Sequence, residues 1–211
     1  MTLFRATAIY KKLKSGFPRS EGKNLFAVCK LLARGKAPRA LAFGGVCEDT
    51  RARKWELLCG EYVQVPYRIY FSECTEEQLC RLGSAQRAIY HCIFSRSHDG
   101  FVRERHLKEL FAAGVPDFAL PYVVKSGEDY VVEILQTVYS LFAGKDLADL
   151  RKFCGRNIKN VQTCHSRMMS YRQEYYRDIC PIYGDYVGKA LFEECFGFFK
   201  TGQRVIKIYP E

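Results

Sequence analysis

Two hydroxyls, an imidazole and a carboxylate stand within one short stretch, as Ser95, Ser97, His98 and Asp99. A nucleophile beside a base that is oriented by an acid is what acyl transfer requires, and Arg96 and Arg103 lie close in sequence. The same residues, coming just before an apolar-periodic run, also describe a helix N-cap. Short polar side chains there accept hydrogen bonds from the free amides of the first turn. No nucleophile elbow, Gly-rich phosphate loop or H-E-x-x-H accompanies the cluster, so the residues read as a cap rather than a catalytic centre.

Metal ligation is the second chemistry to weigh. Zinc sites usually take two ligands two to four residues apart on a turn. The chain has no C-x-x-C pair, and Cys74, Cys80, His91 and Cys92 are spread over helix-like stretches. Cys164 and His165 are neighbours on a helix and point to different sides, so they do not chelate one ion. Neither a metal nor a cofactor is expected.

The segment 166–177 is the third candidate, because it interleaves Arg167, Arg172 and Arg177 with Tyr171, Tyr175 and Tyr176. On a regular helix Met168, Tyr171 and Tyr175 face inward, while His165, Met169, Arg172 and Tyr176 share another side. Arg172 and Tyr176 are thereby candidates to meet a nucleic-acid partner, as arginine and aromatic rings do in single-strand binders. The competing arrangement packs them beneath a neighbouring helix with Arg172 paired to an acid.

Charge supplies the strongest asymmetry. The net charge is +10, from 33 Lys+Arg against 23 Asp+Glu. Residues 1–55 hold 13 basic and 3 acidic residues and carry all of that excess, while the rest of the chain is balanced. A one-sided positive field attracts nucleic acid, anionic lipid or an acidic protein. Lys11, Lys12, Lys14, Arg19, Lys23, Lys36 and Arg39 are the expected phosphate contacts, which position a chain without reading sequence.

These groups must be held by helices. The pattern predicts a mainly α protein, an antiparallel helical bundle or a short α-solenoid, with at most a minor edge strand near residues 62–71. A single domain over 1–211 is expected, made of a basic region 1–55, an extended connector 56–74 and a helical core 75–200. In the first helix Leu3, Phe4, Ala8 and Leu13 are expected inward, with Lys11, Lys12 and Lys14 outward. Asn24 should cap a second helix over 25–34, and Gly44-Gly45 mark a loop. Glu48 and Asp49 should open a short helix that ends at Leu58 and Gly60. Val63, Val65, Tyr67, Ile69 and Phe71 then alternate as in a strand, which Pro66 confines to an edge.

Beyond residue 75 the signals are helical. Thr75 with Gln78 reads as a capping box, and Ser84, Asp99, Asp146 and Asn160 as caps. The strongest stripe is Val131, Ile134, Leu135, Val138 and Leu141 in a helix over 128–142. Asp99, Val102, Arg103 and Leu110 are similar to the Asp, Val-Arg and Leu of HEAT-type repeats over about a dozen residues. His106 takes a position such repeats give to a small residue, and no second copy follows.

No apolar run approaches the roughly 18 residues of a membrane span, and no secretory signal is evident. Ten cysteines without disulfide-framework spacing suit a reducing cytoplasm. The favoured reading is a non-enzymatic helical protein whose basic N-terminal quarter contacts a polyanion, nucleic acid first among them, without sequence specificity. The alternatives are a protein-interaction scaffold docking an acidic partner, and an enzyme of unrecognised class using the Ser95–Asp99 loop.

Overall fold

The computed structural model describes residues 2–35, 46–47 and 54–199. Lys36, Arg39, the Gly44-Gly45 loop and the expected helix start at Glu48 and Asp49 lie outside them. The described protein is mainly α-helical, with two small antiparallel strand pairs. It divides into two compact units, Met1–Val123 and Val124–Glu211.

The first unit opens with a helical hairpin, α1 (Thr2–Leu13) and α2 (Gly22–Leu32). α1 buries Ala6, Ile9 and Leu13, and α2 buries Leu25, Val28, Cys29, Leu31 and Leu32. The helices run antiparallel: Tyr10 meets Phe26 edge-on at 5.6 Å, while Arg5 reaches the far end of α2. There Arg5 donates to the carbonyls of Ala33 (3.1 Å) and Gly35 (2.7 Å), supplying partners for α2's otherwise orphaned C-terminal carbonyls. Leu13 is inward and Lys11 and Lys14 outward as expected, but the rest of the inward face differs. Leu3, Phe4 and Ala8 are exposed, because the register that buries Ala6, Ile9 and Leu13 turns them out.

Strand β1 (Val46–Cys47) pairs with β4 (Arg68–Ile69), and β2 (Trp55–Glu56) with β3 (Tyr62–Val63). Residues 54–58 therefore do not form the end of a helix. Trp55 and Leu57 are buried and Glu56 and Leu58 are not, a period-two pattern, and Gly60 at φ 85° makes the reversal a hairpin. The expected strand over 62–71 keeps Val63, Val65, Ile69 and Phe71 buried but breaks at Tyr67, which is exposed, and Arg68, which is buried. Pro66 cannot donate to a ladder, and the interruption falls there.

Next come α3 (Glu76–Leu79), α4 (Ser84–Phe94) and α5 (Gly100–Ala112). The Thr75–Gln78 capping box forms as expected. Every residue from Ala88 to Phe94 is buried, as befits the central helix of a unit. α6 (Leu120–Ser126) carries the boundary between the units. Before it, Phe17 stacks on Tyr122 at 5.2 Å, and the Tyr122 hydroxyl donates to the Gly16 carbonyl at 3.1 Å.

The second unit contains α7 (Val132–Phe142), α8 (Ala148–Arg156), α9 (Ile158–Tyr171) and α10 (Val187–Ala190). α7 buries Ile134, Leu135, Val138 and Phe142, close to the expected stripe. Its start is later than expected because residues 127–131 are a turn, in which buried Asp129 accepts from the Val131 amide. Asn160 does not cap: α9 begins at Ile158 and Asn160 is buried inside it. π-helical turns at 172–176 and 191–195 extend α9 and α10. Phe142, Phe192, Phe196, Phe198 and His165 form the aromatic core of this unit.

One contact in that core is tight enough to test. A Cβ placed on Gly188 would stand 2.6 Å from the Tyr186 ring and 2.7 Å from the Met168 sulfur, both buried. Gly188→Ala is expected to cost about 1–3 kcal/mol through overpacking, despite alanine's better helix propensity. Urea denaturation measures it, and a midpoint at or above wild type would contradict the packing.

Candidate functional site

The α1–α2 hairpin carries the basic surface. Lys11 and Lys14 near the end of α1, Arg19 in the turn and Lys23 in α2 are exposed, and Lys12 is half-buried. Lys23 and Lys30 lie two turns apart on the exposed side of α2, and Arg34, just past its end, is exposed too. Lys30 lies over the Phe26 ring at 5.1 Å. Lys30 and Arg34 belong to this surface although sequence reading selected neither; their i, i+7, i+11 relation to Lys23 was the signal. The single acid in residues 2–35 is Glu21, which accepts a hydrogen bond from Asn24 at 2.8 Å. Against these cations stand two exposed apolar side chains on α1, Phe4 (83% exposed) and Leu3 (63%).

The Ser95–Asp99 loop is built as a cap. Asp99 accepts from the amides of Phe101 (2.9 Å) and Val102 (3.4 Å) at the start of α5. Buried Ser95 donates to the Cys92 carbonyl at 2.7 Å, the Ser97 hydroxyl accepts from the Asp99 amide at 3.3 Å, and His98 stacks on Tyr70 at 5.1 Å. The two arginines are structural as well. Arg103 donates to the carbonyls of Ser97 (3.0 Å) and His98 (3.1 Å), and Arg96 to those of Pro66 (3.3 Å) and Tyr67 (3.0 Å). The groups that a hydrolase would aim at a substrate thus tie the loop to 66–67 and to α5.

Arg172 and Tyr176 are likewise turned to internal use. Arg172 is buried and donates to the Cys180 and Pro181 carbonyls, both at 2.7 Å, with its guanidinium over the rings of Tyr183 and Tyr186. Carbonyls and ring faces take the place of the acid expected beside it. The Tyr176 hydroxyl donates to the Tyr130 carbonyl at 2.8 Å and accepts from the Val132 amide at 3.2 Å.

A hydrogen-bonded chain that sequence reading missed links α4 and α5. Glu73 receives Arg105 on both carboxylate oxygens and His106 Nε2 at 2.7 Å. His106 Nδ1 lies 2.8 Å from His91 Nδ1. With Glu73 ionised, His106 donates from Nε2 and accepts at Nδ1, so His91 donates from Nδ1 and Nε2 remains its acceptor. Burial, then the neighbouring His106 and Arg87, hold His91 down to about 4, and burial also lowers His106. Burial alone would raise Glu73, but the hydrogen bonds from Arg105 and His106 bring it below the usual carboxylate range. The spacing of His91 and His106 over 15 residues is a tertiary relation, set by the α4–α5 crossing.

The network predicts acid sensitivity. An unfolded histidine near 6.5 takes up a proton more readily than folded His91 at about 4, so stability is full above the higher value and drains as pH falls between them. Glu73 acts in the same direction at lower pH, as its depressed folded pKa is crossed. The His91 contribution is on the order of 2 kcal/mol after discounting for solvent. Urea midpoints of wild type and His91→Gln over this range measure it. The variant should lose much of the slope between about 6.5 and 4; equal slopes would contradict the assignment.

Among the described residues no three His, Cys, Asp or Glu side chains converge as metal ligands would. The nine cysteines with described side chains are free thiols, five of them buried. No described helix is long and apolar enough to cross a membrane. No protein-family model matches the chain, and neither a curated protein nor a solved structure shows significant similarity to it.

Proposed function

We propose that the protein binds a polyanion, nucleic acid, through the outer face of the α1–α2 hairpin, without reading base sequence. The observation that carries this reading is that Lys11, Lys14, Arg19, Lys23, Lys30 and Arg34 are all exposed on a segment with one acid. Phosphates neutralised by such cations release condensed counterions, an entropic gain that is independent of sequence. With six contacts, log K should fall by about 4–5 per decade of salt. Rigid presentation adds to affinity, since Arg5 fixes α2's end and the hairpin does not have to be ordered on binding.

Retention of the purified chain by single- and double-stranded oligonucleotides, in parallel with phosphatidylserine vesicles, tests the reading. Binding to both nucleic acids at low salt, lost steeply as salt rises, supports it. Capture by vesicles alone would instead assign Leu3 and Phe4 to a lipid surface. Absence of nucleic-acid binding at low salt overturns the proposal, leaving the basic face to an acidic protein.

A further inference from the structure

We propose that Phe4, on the outer line of α1, is a stacking post for an unpaired base, so that single-stranded nucleic acid is the form the α1–α2 hairpin takes; this rests on the polyanion reading above. The ring and the cations around it belong to one hairpin of one unit. α1 uses its apolar stripe inward, on Ala6, Ile9 and Leu13. At about 100° per residue, Phe4 and Lys11 both fall half a turn away from that stripe, on the line that faces solvent. They stand two turns apart, about 10 Å along the axis. Between them lie only the small side chains of Thr7 and Ala8, and Phe4 is 83% exposed.

The second helix brings further cations to the same ring. Tyr10 meets Phe26 across the hairpin, and Arg5 donates to the carbonyls of Ala33 and Gly35, which sets the antiparallel register. Lys30 stands four residues beyond Phe26 and Arg34 eight. Counted back from Tyr10 along α1, those positions are level with Ala6 and Thr2. Phe4 therefore lies in the turn of α1 that Lys30 and Arg34 flank, and both cations are exposed. Residues 2–35 hold eight Lys and Arg against the one acid, Glu21. The charge that would hold a phosphate strand and the ring that would meet its bases are thus supplied by the same two helices.

The chemistry selects the occupant. Cations that track a phosphate backbone, with an aromatic ring among them, hold single strands without reading sequence, because every base has a face to stack. Bases inside a duplex already cover one another and leave the ring nothing to stack on. An anionic lipid surface would instead take a helix whose apolar stripe is free along its length. That stripe of α1 is buried, and past Leu3 and Phe4 the outward side runs through Thr7 and Ala8 to Lys11 and Lys14. The contribution of Phe4 should be indifferent to salt, unlike that of the lysines.

Fluorescence anisotropy on the full chain tests this with an oligothymidylate of about twelve nucleotides, a duplex and a base-free deoxyribose-phosphate strand of equal length. Phosphatidylserine vesicles form a fourth arm. Phe4→Ala should weaken oligothymidylate binding by about tenfold, keep its salt slope, and leave the duplex and the base-free strand as in wild type. Phe4→Leu keeps apolar bulk without a ring and should lose as much, whereas Phe4→Tyr should stay within about twofold of wild type. Oligothymidylate binding by Phe4→Ala as tight as wild type would overturn the stacking post while the polyanion reading stands. So would an equal loss on all three strands. A loss confined to vesicles, restored by Phe4→Leu, would give the ring to a lipid surface and also overturn it. If wild type binds none of the nucleic-acid probes, both readings fall.

Discussion

Replacing Lys11, Lys14 and Lys23 together by glutamine is expected to weaken nucleic-acid binding for every sequence alike. It should also make the slope of log K against log salt shallower by about 2–3 units. All three side chains are exposed, two of them close to the α1–α2 turn. Each would contact a phosphate, and each contact removed leaves about 0.7–0.9 of a counterion in place. At low salt the loss amounts to orders of magnitude, whereas folding stability should change by no more than about 0.5 kcal/mol, because no cap or core group is touched. Filter binding across a salt series, with thermal melts of the same samples, separates the two. A uniform loss of affinity at unchanged slope would mean that the lysines do not meet phosphate.

Ile134→Asp should have the largest effect on stability. Ile134 has no exposed surface and sits with Leu135, Val138 and Phe142 on the inward face of α7. A carboxylate there must stay charged without a partner or take up a proton, and either costs several kcal/mol against a total of about 5–15. Loss of the cooperative melt, or insolubility, is the expected result. Gln136→Asp on the exposed side of the same helix should shift stability by about 0.5 kcal/mol or less. Equal behaviour of the two variants in circular dichroism melts would show that α7 does not pack by this face.

The helical character of the chain was legible in its periodicity wherever a helix has one buried side, as the Ile134, Leu135, Val138 run shows. Caps were legible where the side chain answers to backbone geometry alone: Thr75 with Gln78, and Asp99. The failures share a cause, since each depended on a local rule that another part of the chain overrode. Leu3 and Phe4 fit an apolar stripe on their own, but α2 packs against Ala6, Ile9 and Leu13. Residues 54–58 fit a helix until their partners at 62–63 are known. Counting 3.6 residues per turn places Tyr175 inward, but the helix is π-helical over 172–176 and Tyr175 is exposed. The basic surface is legible as a composition, and the i, i+7, i+11 spacing of Lys23, Lys30 and Arg34 points to a row whose exposure only the packing of α2 decides. Nothing in the sequence announced the Glu73–His106–His91 chain, whose members meet only through the packing of α4 on α5.

The contact between Tyr122 and Gly16 bears on how the first unit assembles. Its helical hairpins close through neighbours in sequence, and such local contacts form fast. The Tyr122 hydroxyl, by contrast, joins residues separated by 106 positions, and Phe17 stacks on the same ring. At a synthesis rate of ~5–20 residues per second, α1 and α2 emerge roughly 5–20 s before the tyrosine that completes their surroundings. During that interval Phe17 and the carbonyl of Gly16 have no native partner at residue 122. The hairpin that carries the basic face is thus made first and sealed last, by a residue at the opposite end of its own unit.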